Sequence, residues 1–262
     1  MNEVNKTLYI PLYGKSFVSK KGIILHDAKA EEIWAKEGFE LKGRSKSKWL
    51  AYNMAMRARV FDDWTGSMLE KEPYSVVLHI GCGLDSRCLR VKQNFRTWVD
   101  CDLPDVLDIR KQYYQETPFY HMTALDASDP GQISQLPDGD TAVVILEGLS
   151  MYLTNAQLKE LIKTLRQKYM NINFLMDVYT EYGAQASEKK NPINDVGVTK
   201  VYGVDDIDGL LEGTGVMKKA EHTFTPGHLI DELKPAERNF FKLLFTGKTY
   251  SKIYRLFELK SI

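Results

Sequence analysis

Two glycines and two aspartates carry the first chemical signal. Gly81-Cys82-Gly83 follows Ser75-Val76-Val77-Leu78-His79-Ile80, an apolar run rich in β-branched residues and bounded by Pro73. Such a run reads as a buried parallel strand, and the glycines read as the tight turn that ends it. Open α/β sheets bind ligands at that end of their strands, where glycine also lets a ligand approach the backbone. Asp100 and Asp102 follow at about 20 residues, the spacing at which a carboxylate reaches a ribose diol. A dinucleotide fingerprint places a third glycine at position 86, which is serine here. The pattern therefore turns away from a nicotinamide cofactor and toward a nucleoside ligand without a pyrophosphate, such as S-adenosylmethionine.

Other reactive side chains are less patterned. Glu147 follows the apolar run Thr141 to Leu146, where an unpaired carboxylate is costly and a ligand amine is a suitable partner. Asp126 and Asp129 have the spacing of Asx turns. The five histidines show no partner in the sequence, so no general base is assigned; His79 falls inside a strand and reads as a core residue. Cys82, Cys88 and Cys101 lack zinc-ligand spacing. Tyr152, Tyr179, Tyr182 and Tyr202 cluster after two strands, either as walls for an aromatic acceptor or as cover for the sheet end.

The elements that must position these groups alternate. Strands are expected at 75–80, 97–102, 141–146 and 172–178. Thr154 and Gln157 have capping-box spacing, and Leu158, Leu161, Ile162, Leu165 and Tyr169 form the apolar stripe of a helix that Asn171 ends. Helices are also expected from Ala28 to Phe39, from Tyr52 to Glu70 and from Pro235 to Phe245, the last stopped by Gly247. Val216 to Phe224 and Tyr250 to Leu259 read as a final pair of strands. Alternation of this kind predicts a doubly wound, mostly parallel α/β sheet with an antiparallel C-terminal edge.

A series of segments resembles the leucine carboxyl methyltransferase family, in particular its branch of bacterial polyketide-synthesis O-methyltransferases. In order they are Thr7 to Tyr13, His26-Asp27, Arg57 to Asp63, Gly81 to Arg87, Asp102-Leu103-Pro104 and Glu147 to Leu153, with the resemblance running from about residue 7 to about residue 226. The resemblance implies a Rossmann-like class I fold with a seven-stranded sheet. It implies one methyltransferase domain over 1–262, with 1–72 as a helical cap and 73–262 as the core. It implies S-adenosylmethionine as methyl donor, S-adenosylhomocysteine as product, no metal, and a small-molecule acceptor methylated on a carboxylate or hydroxyl oxygen. Alternatives are methylation of a protein C-terminus and cofactor binding without turnover. Carried over by position, Gly81, Cys82 and Gly83 face the methionine, Asp102 and Leu103 hold the ribose, and Asp126 and Ala127 sit by the adenine. Glu147 and Gly148 lie below the amine. Arg59 pairs the methionine carboxylate with help from Lys15; Arg57 competes for that role, and Asp100 for that of Asp102. The tryptophan usual after the second aspartate motif is missing from Asp129 to Ile133.

Composition bounds the rest. The 262 residues are 44% hydrophobic and 27% charged, enough to bury a sizeable core. Thirty-five basic residues balance thirty-five acidic ones, so the strong basic excess of a nucleic-acid binder is missing. Met1 to Lys6 lack an apolar leader and no run is long enough to span a bilayer, which leaves a cytoplasmic protein with no membrane partner as the expectation. Three cysteines fit a reducing compartment.

Overall fold

Seven strands, β1 Val76–Ile80, β2 Thr97–Asp102, β3 Tyr120–Ala124, β4 Thr141–Leu146, β5 Asn171–Tyr179, β6 Val216–His222 and β7 Tyr254–Ser261, form one sheet in a computed structural model. It describes residues 7–41, 43–190 and 200–262; the leader reading of Met1 to Lys6 lies outside them. The strand order is β3-β2-β1-β4-β5-β7-β6. Strands β1 to β5 pair in parallel, and β7 enters antiparallel between β5 and β6. The antiparallel C-terminal pair is thus present, with β6 outermost.

Physical chemistry explains the central strands. Every residue of β1 is buried, as is β4 from Ala142 to Leu146, because helices cover both faces of a parallel sheet. Alternate residues split between two cores. Val76, Leu78 and Ile80 pack with Leu158, Leu161, Ile162 and Leu165; Val77 packs on the other face with Phe61, Trp64 and Trp98.

The helices are α1 Tyr9–Ser19, α2 Ala28–Glu37, α3 Lys48–Lys71, α4 Arg87–Arg90, α5 Pro104–Arg110, α6 Asn155–Lys168, α7 Glu181–Lys190, α8 Ile207–Leu211, α9 Gly227–Ile230, α10 Pro235–Phe245 and α11 Gly247–Ser251. Helix α6 begins on a complete capping box between Thr154 and Gln157. It ends at Lys168, so Asn171 opens β5 instead of closing the helix. Gly247 likewise starts α11, and β7 begins at Tyr254, later than the sequence pattern placed it. No helix among the described residues is long and apolar enough to cross a membrane.

Helix α7 approaches the sheet through a glycine. A Cβ on Gly183 would lie 2.1 Å from the carbonyl oxygen of Ile253, just before β7. Gly183→Ala therefore forces backbone apart and is expected to cost about 1–3 kcal/mol, as overpacking does. Melting should fall by several degrees; an unchanged melting temperature would contradict the packing described.

Candidate functional site

A cavity of about 890 Å³ opens at the C-terminal ends of the parallel strands, within the size range of small-molecule sites. Helices α1 and α3 roof it. Gly81 and Gly83 lie in its floor with φ of 74° and 52°, a backbone that side chains rarely adopt. The turn is pinned from three sides. The amides of Gly81 and Cys82 both donate to the Cys101 carbonyl, at 2.8 and 3.1 Å. The Gly83 amide donates to Asp102 Oδ2 at 2.7 Å, and Arg110 Nη1 donates to the Gly83 carbonyl at 2.9 Å.

Asp102 sits at the end of β2 and lines the cavity; its second oxygen accepts from the Leu103 amide at 2.8 Å. Burial raises its pKa above the ordinary carboxylate value, against the lowering effect of those two amides. Asp100 does not compete for the cavity. It is fully buried, ion-paired to Arg110 and bonded to Trp98 Nε1 and the Tyr120 hydroxyl. Burial would raise its pKa, but Arg110, His79 and the Trp98 Nε1 hydrogen bond together outweigh burial and hold it down at about 2. Asp100 thus supports the glycine turn through Arg110.

Under the roof lies a buried ionic network. Arg57 Nε donates to Glu147 Oε1 at 2.9 Å, and its Nη1 donates to the Tyr254 hydroxyl at 2.8 Å and to Asp177 at 3.3 Å. Arg87 bonds the other oxygen of Glu147, Asp62 at 2.7 Å and His79 Nε2 at 3.1 Å. Arg90 joins Asp27, Asp62 and Asp85, and Lys15 pairs with Asp85. Burial raises the pKa of Glu147, but Arg87 and Arg57 outweigh it and bring it to about 2. For Asp177 burial wins, and its pKa rises despite Arg57 and Tyr254. Among the described residues, Arg57 Nη2 has no hydrogen-bond partner. A Cβ on Gly148 would come within 3.3 Å of it, so glycine there leaves this edge of the guanidinium clear.

Several expected site residues line this one cavity: Lys15, Gly81, Cys82, Gly83, Asp102, Leu103, Asp126, Ala127, Glu147 and Gly148. Arg59 does not. It is partly exposed, pairs with Asp63 at 2.8 Å and donates to the Ile24 carbonyl. Two residues along a helix turn the side chain by roughly 200°, so Arg57 faces the cavity and Arg59 faces away. The partner expected for Glu147 also differs: its carboxylate is held by two arginines, so a ligand amine is not needed to justify its burial. Lys15 is 3% exposed and ion-paired. Asp126 accepts from the amide and hydroxyl of Ser128, an Asx turn that keeps the carboxylate at the cavity wall.

Tyr152 and Tyr179 line the cavity, whereas Tyr182 is exposed and Tyr202 lies outside the lining. Asn53, Asp177, Tyr250 and Tyr254 carried no motif and were missed; Cys82, Cys88 and Cys101 are free thiols, and no group of three or more metal-binding side chains occurs among the described residues. His222 is bonded to Glu258 at 2.8 Å, away from the cavity.

A model of the leucine carboxyl methyltransferase family matches residues 3–166. The tetracenomycin polyketide synthesis O-methyltransferase TcmP of Streptomyces glaucescens is 32% identical over 163 residues, 61% of this chain and 60% of that protein. The S-adenosyl-L-methionine-dependent methyltransferase dpfgK of Gibberella zeae is 32% identical over 135 residues, 48% of this chain and 45% of that protein. The chain spans 60% and 45% of the lengths of these curated relatives. Two solved structures share the fold. Magnesium protoporphyrin IX methyltransferase (ChlM) from Synechocystis PCC 6803 with bound SAH has a TM-score of 0.54 and 12% identity, covering 95% of this chain and all of its own. A methyltransferase structure from Thermobifida fusca YX has a TM-score of 0.57 and 14% identity, covering 89% and 87%.

Removing one partner from a buried ion pair costs about 3–5 kcal/mol. Glu147→Gln should lose about that much at neutral pH. Because folding lowers the pKa of Glu147, its stabilisation is full above the unfolded value and fades as pH falls from about 4.5 toward about 2. The melting gap between wild type and variant should therefore close over that window; a gap independent of pH would contradict the network.

Proposed function

The chain belongs to the leucine carboxyl methyltransferase family, and from that premise we propose that it is an S-adenosylmethionine-dependent O-methyltransferase with a small-molecule acceptor. One observation carries the reading: a single cavity joins the clamped glycine turn to an aromatic lobe at the ends of β5 and β7. One cavity thus offers room for a cofactor and a second substrate side by side.

The residues present fit this cofactor. The turn at Gly81 and Gly83 leaves backbone accessible, as a ligand lying against it requires. Asp102 and Asp126 line the wall with no ion-pair partner among the described residues, which suits a ligand of net positive charge carrying a diol and an adenine. Arg57 Nη2 is the free donor for its carboxylate, a role earlier expected of Arg59. A dinucleotide fits less well. Ser86 is 1% exposed and donates to Asp27, so its side chain fills the place where the fingerprint needs glycine. The helix that follows, α4, is a single turn of four residues and offers little dipole to a pyrophosphate.

When bound, S-adenosylmethionine supplies a methyl group made electrophilic by its sulfonium. The chain contributes position and dryness. Transfer needs the acceptor oxygen held in line and close, and fixing two reactants in one cavity supplies much of the rate. Helices α1 and α3 cover the floor and line the cavity with Ile10, Leu12, Leu50 and Met54, which shields it in part from bulk water. The buried network fixes the roof to the sheet through Lys15–Asp85 and Arg57–Glu147. A carboxylate acceptor arrives ionised, whereas a hydroxyl must surrender a proton.

Thermal unfolding tests the reading. S-adenosylmethionine or S-adenosylhomocysteine at one hundred times its dissociation constant adds about 2.7 kcal/mol, a shift of about 5–10 °C for a chain of this size. The shift should disappear in Asp102→Ala and persist in Arg59→Ala. A shift with NAD alone would overturn the cofactor.

A further inference from the structure

The part of the cavity beside the end of β5 and the start of β7 has its own chemistry. Tyr152, Tyr179, Tyr250, Tyr254 and Phe245 line it. Tyr179 packs on Tyr254 at 4.8 Å between ring centroids, and Phe245 meets Tyr250 edge-on at 5.6 Å. Walls of this kind accept a flat, largely apolar body. At the mouth, Trp49 and Leu244 continue the lining, and Phe240, half exposed, packs on Trp49 at 4.7 Å.

Among these walls stands one polar group with unused capacity. Asn53 lines the cavity and is 2% exposed. Its Oδ1 accepts from the Tyr250 hydroxyl at 3.1 Å, which fixes the orientation of the amide. Its Nδ2 is buried and has no hydrogen-bond partner. An unmet donor in such a place costs free energy that a ligand oxygen would recover. Asn53 also stands four residues before Arg57, so one turn of α3 carries both free donors on one face: Arg57 Nη2 by Gly148, and Asn53 Nδ2 by Tyr250.

We propose that Asn53 Nδ2 receives an oxygen of the acceptor and that the acceptor is a planar aromatic oxyanion. This deepens the methyltransferase reading and rests on it. Tyr250 is a positioning residue here: its hydroxyl holds Oδ1, which leaves Nδ2 as the end of the amide without a partner. A donor N–H favours the ionised form of the oxygen it meets, and the charged partner makes the hydrogen bond a strong one.

The test uses the full chain saturated with S-adenosylhomocysteine, with 2-naphthoate as the oxyanion probe and 2-methylnaphthalene as a ring without oxygen, both followed by calorimetry. Wild type should bind both. Asn53→Leu should weaken 2-naphthoate by about tenfold or more, with 2-methylnaphthalene and S-adenosylhomocysteine affinities within twofold of wild type. Tyr250→Phe should weaken 2-naphthoate less, by loosening the amide. Unchanged S-adenosylhomocysteine binding in each variant shows that it has folded; should Asn53→Leu fail that check, Asn53→Ser takes its place. Equal 2-naphthoate affinity in wild type and the Asn53 variant would overturn the proposal, as would failure of wild type to bind 2-naphthoate. Failure of wild type to bind S-adenosylhomocysteine would instead overturn the cofactor reading, and this proposal with it.

Discussion

The grip of two arginines on Glu147 is the interaction on which the rest of the site depends. Arg57 comes from the roof and Arg87 from the turn after the glycines, and both bond one carboxylate at the end of β4. A buried carboxylate is expensive alone and tolerable when paired and fully hydrogen-bonded. Here the pairing has a geometric consequence. It fixes the phase of α3 over the sheet, turns Nη2 of Arg57 toward the cavity and brings Asn53 to the aromatic lobe. It also ties the loop after the glycine turn to the same point, so the glycine-turn floor and the helical roof share one anchor.

The surrounding carboxylates divide by environment. Asp100 and Glu147 have guanidinium partners and are held at about 2. Asp102, which has no ion-pair partner among the described residues, and Asp177, despite its contact with Arg57, are raised by burial. The first pair belongs to the scaffold. Asp102 belongs to the cavity wall and spends its hydrogen bonds on backbone amides, which sets the turn while leaving its charge facing the cavity. Asp177 stabilises the scaffold from below, accepting from Gly148 and Tyr254, and so connects Gly148 to the lobe where Tyr254 stands.

Much of this was legible in the sequence because the signals were local. The runs at β1 and β4 are continuous and apolar, and the capping box at Thr154 sets its own helix. Strand β3 was not legible: its residues are partly exposed at the sheet edge and show no alternation. Helix α1 contains Pro11 and Gly14 and lacks a side-chain cap, so it forms by packing against α3 more than by propensity. Arg59 illustrates a signal present and unread. Asp63, Ser67 and Glu70 fall on its side of α3 and mark the solvent face, which leaves Arg57 for the interior. Asn53, Tyr250 and Tyr254 could not be read at all, since their meeting joins residues nearly two hundred positions apart.

The central claim is that the Glu147 network presents Arg57 to a cofactor seated on the Gly81 turn. The most direct measurement is a crystal structure of the protein with S-adenosylhomocysteine bound. The account predicts the amino-acid carboxylate of the ligand against Nη2 of Arg57, its ribose hydroxyls against Asp102 and the Glu147 pairs intact. A carboxylate held by Arg59, or a ligand seated away from the glycine turn, would contradict it.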